Sequence, residues 1–224
     1  MKSIINSYKG EFMGRKNNGF HTLARAIVGQ QISVKAADSV WNKLDKLVKG
    51  KMEPKVVAKL SDEKLRSAGL SAQKANYLRN VAEFFVSEMN GTIDLIKHDH
   101  LELAEKLINI KGVGNWTVEM FMMFHMHSPD IFPIGDLGVV NAVKRHYHSH
   151  FIIPAPAGTQ PKKNTKDKNS VKNAPLDSNL RQNDKEQKKQ TIQKIMEISE
   201  TWKPYRTVAT WYLWRSLDPA PVEY

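Results

Sequence analysis

Residues 107–136 restrict the fold of this chain more than any other stretch, because they place a glycine turn between helical runs. The stretch reads LINIKGVGNWTVEMFMMFHMHSPDIFPIGD, with the Lys-Gly-Val-Gly turn at 111–114. Gly112 and Gly114 supply backbone conformations that other residues resist, and they weaken a helix. Residues 116–124 are apolar on nearly every side, which predicts a helix inside the core. The stretch therefore predicts two helices joined by a short hairpin.

The start of the second of these helices is a candidate anion site. The first N–H groups of a helix have no partner within it, so a helix start attracts anions, phosphate included. The alternative interpretation of a Gly-x-Gly turn is a simple helix break, since short glycine motifs recur by chance. The turn alone leaves both interpretations open.

The charge of the chain favours a polyanionic partner. Its 224 residues include 34 Lys and Arg against 23 Asp and Glu, for a formal net charge of +11. Nucleic acid is the first candidate partner and an acidic membrane surface the second. Cysteine is absent, which excludes disulfides, thiol nucleophiles, zinc–thiolate sites and iron–sulfur clusters. Because we find neither a membrane-length apolar run nor a signal-peptide pattern, we expect a soluble intracellular protein.

The hydrophobic pattern predicts an all-α fold. Apolar residues recur at helical spacing along most of the chain, and no alternating strand pattern of convincing length occurs. Residues 151–190 differ, with eight lysines and one arginine against four acids and no aromatic residue after Phe151. Their composition predicts a flexible Lys/Asn-rich insertion.

Two polar residues lie at positions where a side chain can act. Gln31 falls at a corner between two predicted helices, where it either projects toward a partner or is simply solvated. Asp136 follows the Phe132–Pro133 turn and precedes a helix, so it can cap that helix.

Five blocks along the chain together resemble the helix–hairpin–helix–Gly/Pro/Asp superfamily of DNA glycosylases. They are IVGQQIS at 27–33, GLSAQKANYL at 69–78, KGVGNWT at 111–117, FPIGDLGV at 132–139 and WKPYRTVATWYLW at 202–214. The resemblance is strongest to the 3-methyladenine DNA glycosylase II type, in the short form without an N-terminal β domain. It implies two helical subdomains with a cleft between them and the hairpin at the cleft. We assign residues 20–130, with the hairpin motif at 107–120, to one subdomain, and residues 1–19 plus 131–224 to the other.

The resemblance also implies roles for individual residues. Asp136 is the catalytic carboxylate, and Gln31 is a wedge that fills the gap left by a flipped nucleotide. The hairpin binds DNA phosphate through Lys111, Gly112 and Gly114. The pocket for the flipped base is lined by Trp116, Trp214 and Phe132. No cofactor is required, but a Na+ or K+ ion is implied at the hairpin on the backbone carbonyls of Ile108, Ile110 and Val113.

The resemblance predicts which reaction the enzyme catalyses. Trp116 stands where bifunctional relatives carry a Schiff-base lysine, so a monofunctional glycosylase without lyase activity is expected. Alkylated purines such as 3-methyladenine and 7-methylguanine are the expected targets, since indole rings attract cationic bases. The expected partner is double-stranded DNA containing alkylated bases. The protein is expected to be a monomer and not to bind a membrane. The alternatives are a non-catalytic helix–hairpin–helix DNA-binding protein and a glycosylase for another damaged base.

Overall fold

The computed structural model describes residues 1–11, 13–14, 18–90, 95, 98–151 and 178–218. These residues form helices and connecting loops without a β-strand, which confirms the all-α prediction. None of their helices is long and apolar enough to cross a membrane. The α-helices in chain order are α1 (Lys2–Ser7), α2 (Gly19–Gly29), α3 (Val34–Leu47), α4 (Pro54–Val57), α5 (Asp62–Ser67), α6 (Ala72–Ser87), α7 (His100–Ile108), α8 (Asn115–Phe124), α9 (Leu137–His146), α10 (Ser178–Glu200) and α11 (Arg206–Arg215).

Side-chain caps set the start of most of the helices that surround the hairpin. Ser33, Ser61 and Ser71 each accept a hydrogen bond from the backbone N–H three residues later, at the starts of α3, α5 and α6. Asp99 caps α7 by accepting from two backbone N–H groups. Such caps satisfy backbone donors that the helix itself leaves unpaired, and each stabilises the fold by about 1 kcal/mol.

The buried side chains form two hydrophobic clusters. The first is built mainly from α2 to α8, and the second mainly from α1, α8, α9, α10 and α11. Helix α8 serves both, as its apolar sequence predicted: it is packed against α2 and α7, and seven of its ten residues are buried. The division into subdomains 20–130 and 1–19 plus 131–224 stays a prediction, and the second cluster includes Ala26 of α2 and three residues of α8.

The prediction that residues 151–190 form a flexible insertion is wrong at the C-terminal end of this range. Helix α10 begins at Ser178, so residues 178–190 are helical. The side chains from Lys185 to Gln190 are exposed, and Gln190 donates a hydrogen bond to Glu186 one turn earlier. Lysine, glutamine and glutamate favour helix without a core to pack on, which composition-based reasoning overlooked. The remainder of the predicted insertion, 152–177, lies outside the described residues.

Candidate active site

The hairpin between α7 and α8 is closed by its own backbone. The N–H of Val113 donates to the carbonyl of Ile110 at 2.9 Å. Gly112 has a φ of +104°, and a Cβ there would lie 2.1 Å from the Tyr77 ring, so glycine is required. Gly114 differs from the prediction, because its φ of −102° is an ordinary extended conformation and a Cβ would meet nothing within 4 Å. Of the two glycines, only Gly112 is there for its backbone freedom.

The side chain of Gln30, just after α2, and that of Asn80 on α6 hold the hairpin from outside. The amide of Gln30 donates to the carbonyl of Gly112 and to the hydroxyl of Thr117, both at 3.0 Å. The amide of Asn80 donates to the carbonyl of Lys111 at 2.9 Å. The hairpin is therefore fixed at both of its ends relative to two helices of the first cluster.

The start of α8 keeps the features of an anion site. Gly114 is its N-cap and offers no side chain to the backbone N–H groups, and no acidic residue lies in the first turn. Both Gly114 and the neighbouring Lys111 are exposed. The first turn of α8, at the positive end of the helix dipole, therefore lies beside an exposed lysine, a suitable arrangement for a phosphate.

Gln31 lies at the predicted corner, between α2 and α3. It is exposed and has a φ of +56°, which few residues with a side chain adopt. Just before this corner, the ammonium group of Lys74 donates to the carbonyl of Val28 at 2.8 Å, near the C-terminal end of α2. Because strained backbone is commonly kept for function, this conformation agrees with a projecting side chain.

Asp136 is the N-cap of α9, and both of its carboxylate oxygens accept hydrogen bonds. Oδ1 accepts from the backbone N–H of Val139 and from the indole N–H of Trp214, both at 2.9 Å. Oδ2 accepts from the indole N–H of Trp116 at 3.0 Å. The structure thus brings together three of the predicted site residues, Trp116, Asp136 and Trp214. The same Asp136 carboxylate caps α9 and contacts both tryptophans. Three donors suit a carboxylate that acts as an anion.

Gly138, in the first turn of α9, leaves room for this arrangement. A Cβ at Gly138 would lie 2.9 Å from Oδ1 of Asp136 and 3.2 Å from Nε1 of Trp214. Real Cβ atoms essentially never come as close to a neighbour as the first of these distances. The sequence carries a signal for this role, because a glycine in the first turn of a helix weakens the helix.

The loop before Asp136 is tied to the start of α11. The hydroxyl of Thr207 donates to the carbonyl of Ser128 at 2.6 Å and accepts from the N–H of Ile131 at 2.9 Å. The Arg206 guanidinium contacts both carboxylate oxygens of Asp130, at 2.7 and 2.9 Å, and lowers the pKa of that carboxyl. These contacts fix the loop that carries Asp136 relative to the helix that carries Trp214.

The predicted base-pocket residues differ in their surroundings. Trp214 is 7% exposed and its ring stacks on Phe124, with centroids 6.1 Å apart. Phe132 is 8% exposed and packs edge-on against Trp202. Trp116 is half-buried and offers the more accessible ring. Trp116 and Trp214 are joined through Asp136, and both Trp214 and Phe132 are buried members of the second cluster.

A second carboxyl group lies near Asp136, and the sequence analysis missed it. Glu119 follows Trp116 by one turn of α8 and is half-buried. Burial, with a smaller contribution from the nearby charge of Asp136, raises the pKa of Glu119 from 4.5 to about 7. Its position, one helical turn after Trp116 in an otherwise apolar helix, was the available signal.

A helix–hairpin–helix unit beside an aspartate at a helix start defines the class of protein. The chain matches the family described as HhH-GPD superfamily base excision DNA repair protein over residues 24–160, and it belongs to this family. Curated relatives include DNA-3-methyladenine glycosylase 1 of Schizosaccharomyces pombe, which is 27% identical over 95% of this chain and 78% of its own length. The DNA-3-methyladenine glycosylase of Saccharomyces cerevisiae is 30% identical over 88% of this chain and 66% of its own length.

Solved structures agree with this assignment. The S. pombe 3-methyladenine DNA glycosylase in complex with abasic DNA superposes with a TM-score of 0.71, at 25% identity, over 96% of this chain and 89% of that one. A DNA-3-methyladenine glycosidase of Bacillus halodurans superposes with a TM-score of 0.62, at 28% identity, over 96% of this chain and 87% of that one. The predicted family, helix–hairpin–helix fold and relationship to glycosylases are confirmed.

Proposed function

We propose that this chain is a monofunctional DNA glycosylase that flips alkylated purines out of duplex DNA and hydrolyses their N-glycosidic bond. The observation that carries the proposal is the Asp136 carboxylate, held by the indole N–H groups of Trp116 and Trp214 at the start of α9. The names of the relatives support alkylated bases, 3-methyladenine first, as its substrates.

The carboxylate acts through its charge. When the bond between C1′ and the base nitrogen breaks, its electron pair leaves with the base and the sugar becomes oxocarbenium-like. A carboxylate that is already oriented stabilises that cation without rearranging during the reaction. Water then adds to C1′ and loses a proton, so the products are the released base and an abasic site.

Trp116 supports a reaction that stops at the abasic site. A lyase reaction of this type needs an amine that forms a Schiff base with C1′. The residue beside Asp136 is an indole that donates to Oδ2, and an indole has no amine to form such a bond. Lys111 is exposed in the hairpin, and its carbonyl is held by Asn80. We therefore expect base release without strand cleavage.

The aromatic residues of the site suit a cationic base. N-alkylation at N3 or N7 leaves a purine with a positive charge, and a cation over an indole gains roughly 0.5–2 kcal/mol. We assign the exposed ring surface of Trp116 as the main stacking partner, with Trp214 and Phe132 as the more buried wall. The flipped base leaves a gap in the duplex, and Gln31 is the side chain that we assign to fill it.

The hairpin is the proposed phosphate contact, through Lys111 and the amides at Gly112 and Gly114. An alkali ion would stiffen this hairpin. Ile108 ends α7, where carbonyls lack helical partners, and the Ile110 carbonyl keeps a second lone pair beyond its bond to Val113. Carbonyl oxygens of this kind suit Na+ or K+, so the Ile108, Ile110 and Val113 set fits the ion. We further infer a monomer that acts inside the cell, where its DNA substrate lies.

Base release from methylated duplex DNA tests the proposal, with wild type compared with Asp136→Asn. The asparagine oxygen can still accept from Val139 and Trp214, but its NH2 group then faces the Trp116 indole N–H. We expect a loss of about 1–3 kcal/mol of stability and a fall in excision of at least 100-fold. Binding to abasic DNA should largely survive, because the hairpin and Gln31 remain.

Asp99→Asn is the matched control, since Asp99 also caps a helix but lies at the exposed start of α7. It should excise at the wild-type rate. A wild-type protein that binds DNA and releases no base would instead be a non-catalytic DNA-binding protein. Release of only unalkylated or oxidised bases would identify a glycosylase for another lesion. Cleavage of the DNA strand without alkali treatment would refute the monofunctional assignment.

A further inference from the structure

Glu119 lies where α8 passes between the two hydrophobic clusters. Met122, three residues later, packs in the first cluster, and Met123, four residues later, packs in the second. Residues three and four apart share a face of a helix, so Glu119 lies at the junction of the clusters, one turn beyond Trp116. Trp116 in turn donates to the Asp136 carboxylate. A second, half-buried carboxyl group therefore lies one helical turn from the tryptophan that contacts the Asp136 carboxylate.

The described basic side chains of the neighbouring helices have other partners. On α2, Arg25 pairs with Asp38 of α3 and lies over the ring of Trp41, against which His21 also packs. On α7, Lys106 pairs with Glu102 on the exposed surface. Elsewhere, Arg206 pairs with Asp130 and Arg215 with Glu11, and Lys144, Arg145 and His146 lie in the last turn of α9. Lys74 of α6 donates to the carbonyl of Val28, and Lys111 is exposed in the hairpin.

The two carboxyl groups consequently differ in environment. Three N–H donors contact the Asp136 carboxylate, while Glu119 is half-buried near that same negative charge. Two acids in contrasting environments are a common way to give one site two charge states. A cation placed between the two carboxyl groups would favour ionisation of Glu119.

We propose that Glu119 is a specificity-determining residue, whose carboxylate supplies a second negative charge when the site holds a cationic base or sugar. The proposal rests on the proposed glycosylase function and extends it, because it explains how the site would prefer cationic over neutral groups. In the DNA-free protein Glu119 is largely protonated below neutral pH and Asp136 carries the charge. Binding of a cation releases the Glu119 proton and brings the site to two negative charges.

The pH dependence follows from proton linkage. Burial and Asp136 hold the pKa of Glu119 at about 7 in the DNA-free protein, and a cation moves it back toward 4.5. Affinity for the cation therefore rises with pH between these two values and is constant above about pH 7. A complete return to 4.5 would give at most roughly 300-fold tighter binding, ten to the power 2.5. Since the site is partly open to solvent, we expect about tenfold.

The test compares two DNA duplexes that differ in one charge. One carries a cationic pyrrolidine abasic analogue and the other a neutral tetrahydrofuran analogue, and both are bound at pH values from about 5 to about 8.5. For the wild type, the ratio of cationic to neutral affinity should rise about tenfold over this range. Glu119→Gln should keep the affinity for the neutral duplex and give a ratio that does not change with pH. Glu119→Asp retains the acid and should retain the rise.

The matched control is Glu105→Gln, which removes an exposed carboxylate from α7 of the same helix–hairpin–helix motif. It should behave as the wild type. A wild-type ratio that does not rise with pH, or a Glu119→Gln ratio that still rises, would overturn the proposal. Equal loss of affinity for both duplexes in Glu119→Gln would also overturn it and assign Glu119 a structural role. Because the measurement needs no base release, failure of the proposed glycosylase function would be seen separately, in the excision assay.

Discussion

Replacing Gly138 by alanine tests how closely the catalytic carboxylate must be held. The added methyl group would lie 2.9 Å from Oδ1 of Asp136 and 3.2 Å from both Cδ1 and Nε1 of Trp214. One of these groups must move by several tenths of an ångström. Because a 2.9 Å hydrogen bond joins Asp136 Oδ1 and Trp214 Nε1, movement of either group distorts this bond.

The substitution has two opposing effects on stability, whereas its effect on activity is a loss. Alanine stabilises a helix interior by about 0.5–1 kcal/mol relative to glycine, which offsets part of the strain. A hydrogen bond to a charged group contributes about 1.5–3 kcal/mol. If the indole of Trp214 loses this bond, or if the carboxylate turns, excision should fall roughly 10- to 100-fold, at about 1.4 kcal/mol per tenfold. The net change in unfolding free energy should stay within about 2 kcal/mol.

The assay is single-turnover base release at saturating enzyme, with thermal melting measured in parallel. Gly135→Ala is the matched control, because Gly135 lies three residues earlier and a Cβ there would meet nothing within 4 Å. The control should excise at the wild-type rate. If Gly138→Ala melts normally and excises as fast as Gly135→Ala, the contact between Asp136 and Trp214 is not needed for catalysis and the reasoning fails.

Three further predictions concern other parts of the site. Gln31→Ala should weaken binding to lesion DNA more than to undamaged duplex, and equal losses in a titration would make Gln31 an ordinary surface contact. Gly112→Ala should cost about 2–4 kcal/mol in urea unfolding, because it combines positive φ with a clash against Tyr77, while Gly114→Ala should cost little. Glu119→Gln should raise the unfolding free energy by about 1 kcal/mol above pH 7 and leave it unchanged below pH 4.5, as a pH series of melting curves would show. The reason is that the fold raises the pKa of Glu119 from 4.5 to about 7, so the ionised carboxylate destabilises the folded state, and solvent screens part of this effect.

Local patterns in the sequence predicted the helices and the hairpin. The apolar run after the glycines became α8, and the serine caps of α3, α5 and α6 begin those helices as such caps commonly do. Spacing alone cannot separate two glycines in one turn, so Gly114 was assigned a backbone role that only Gly112 has. For 178–190, the polar composition that predicted a flexible insertion is equally compatible with an exposed helix.

The candidate site depends on contacts between residues far apart in the chain. Asp136 was predicted from its turn and the family resemblance, but its bond to Trp214 joins residues 78 positions apart. No local pattern reports such a pair. The same limit applies to Glu119, since its burial depends on how the two clusters meet across α8. Gln30 and Gln31 are adjacent, and only the structure separates the residue that supports the hairpin from the one that projects.

The ties between the 128–131 loop and the start of α11 have a consequence for how the chain can change. They join residues 76 and 79 positions apart and set the distance between the two sides of the site, whatever the length of chain in between. The described residues on the two sides of the site are therefore held together by their own contacts and not by the chain between α9 and α10. A break in the 152–177 connection should likewise leave two fragments with complementary surfaces. This connection is therefore a suitable place to divide the protein into halves that regain activity only when they are brought together.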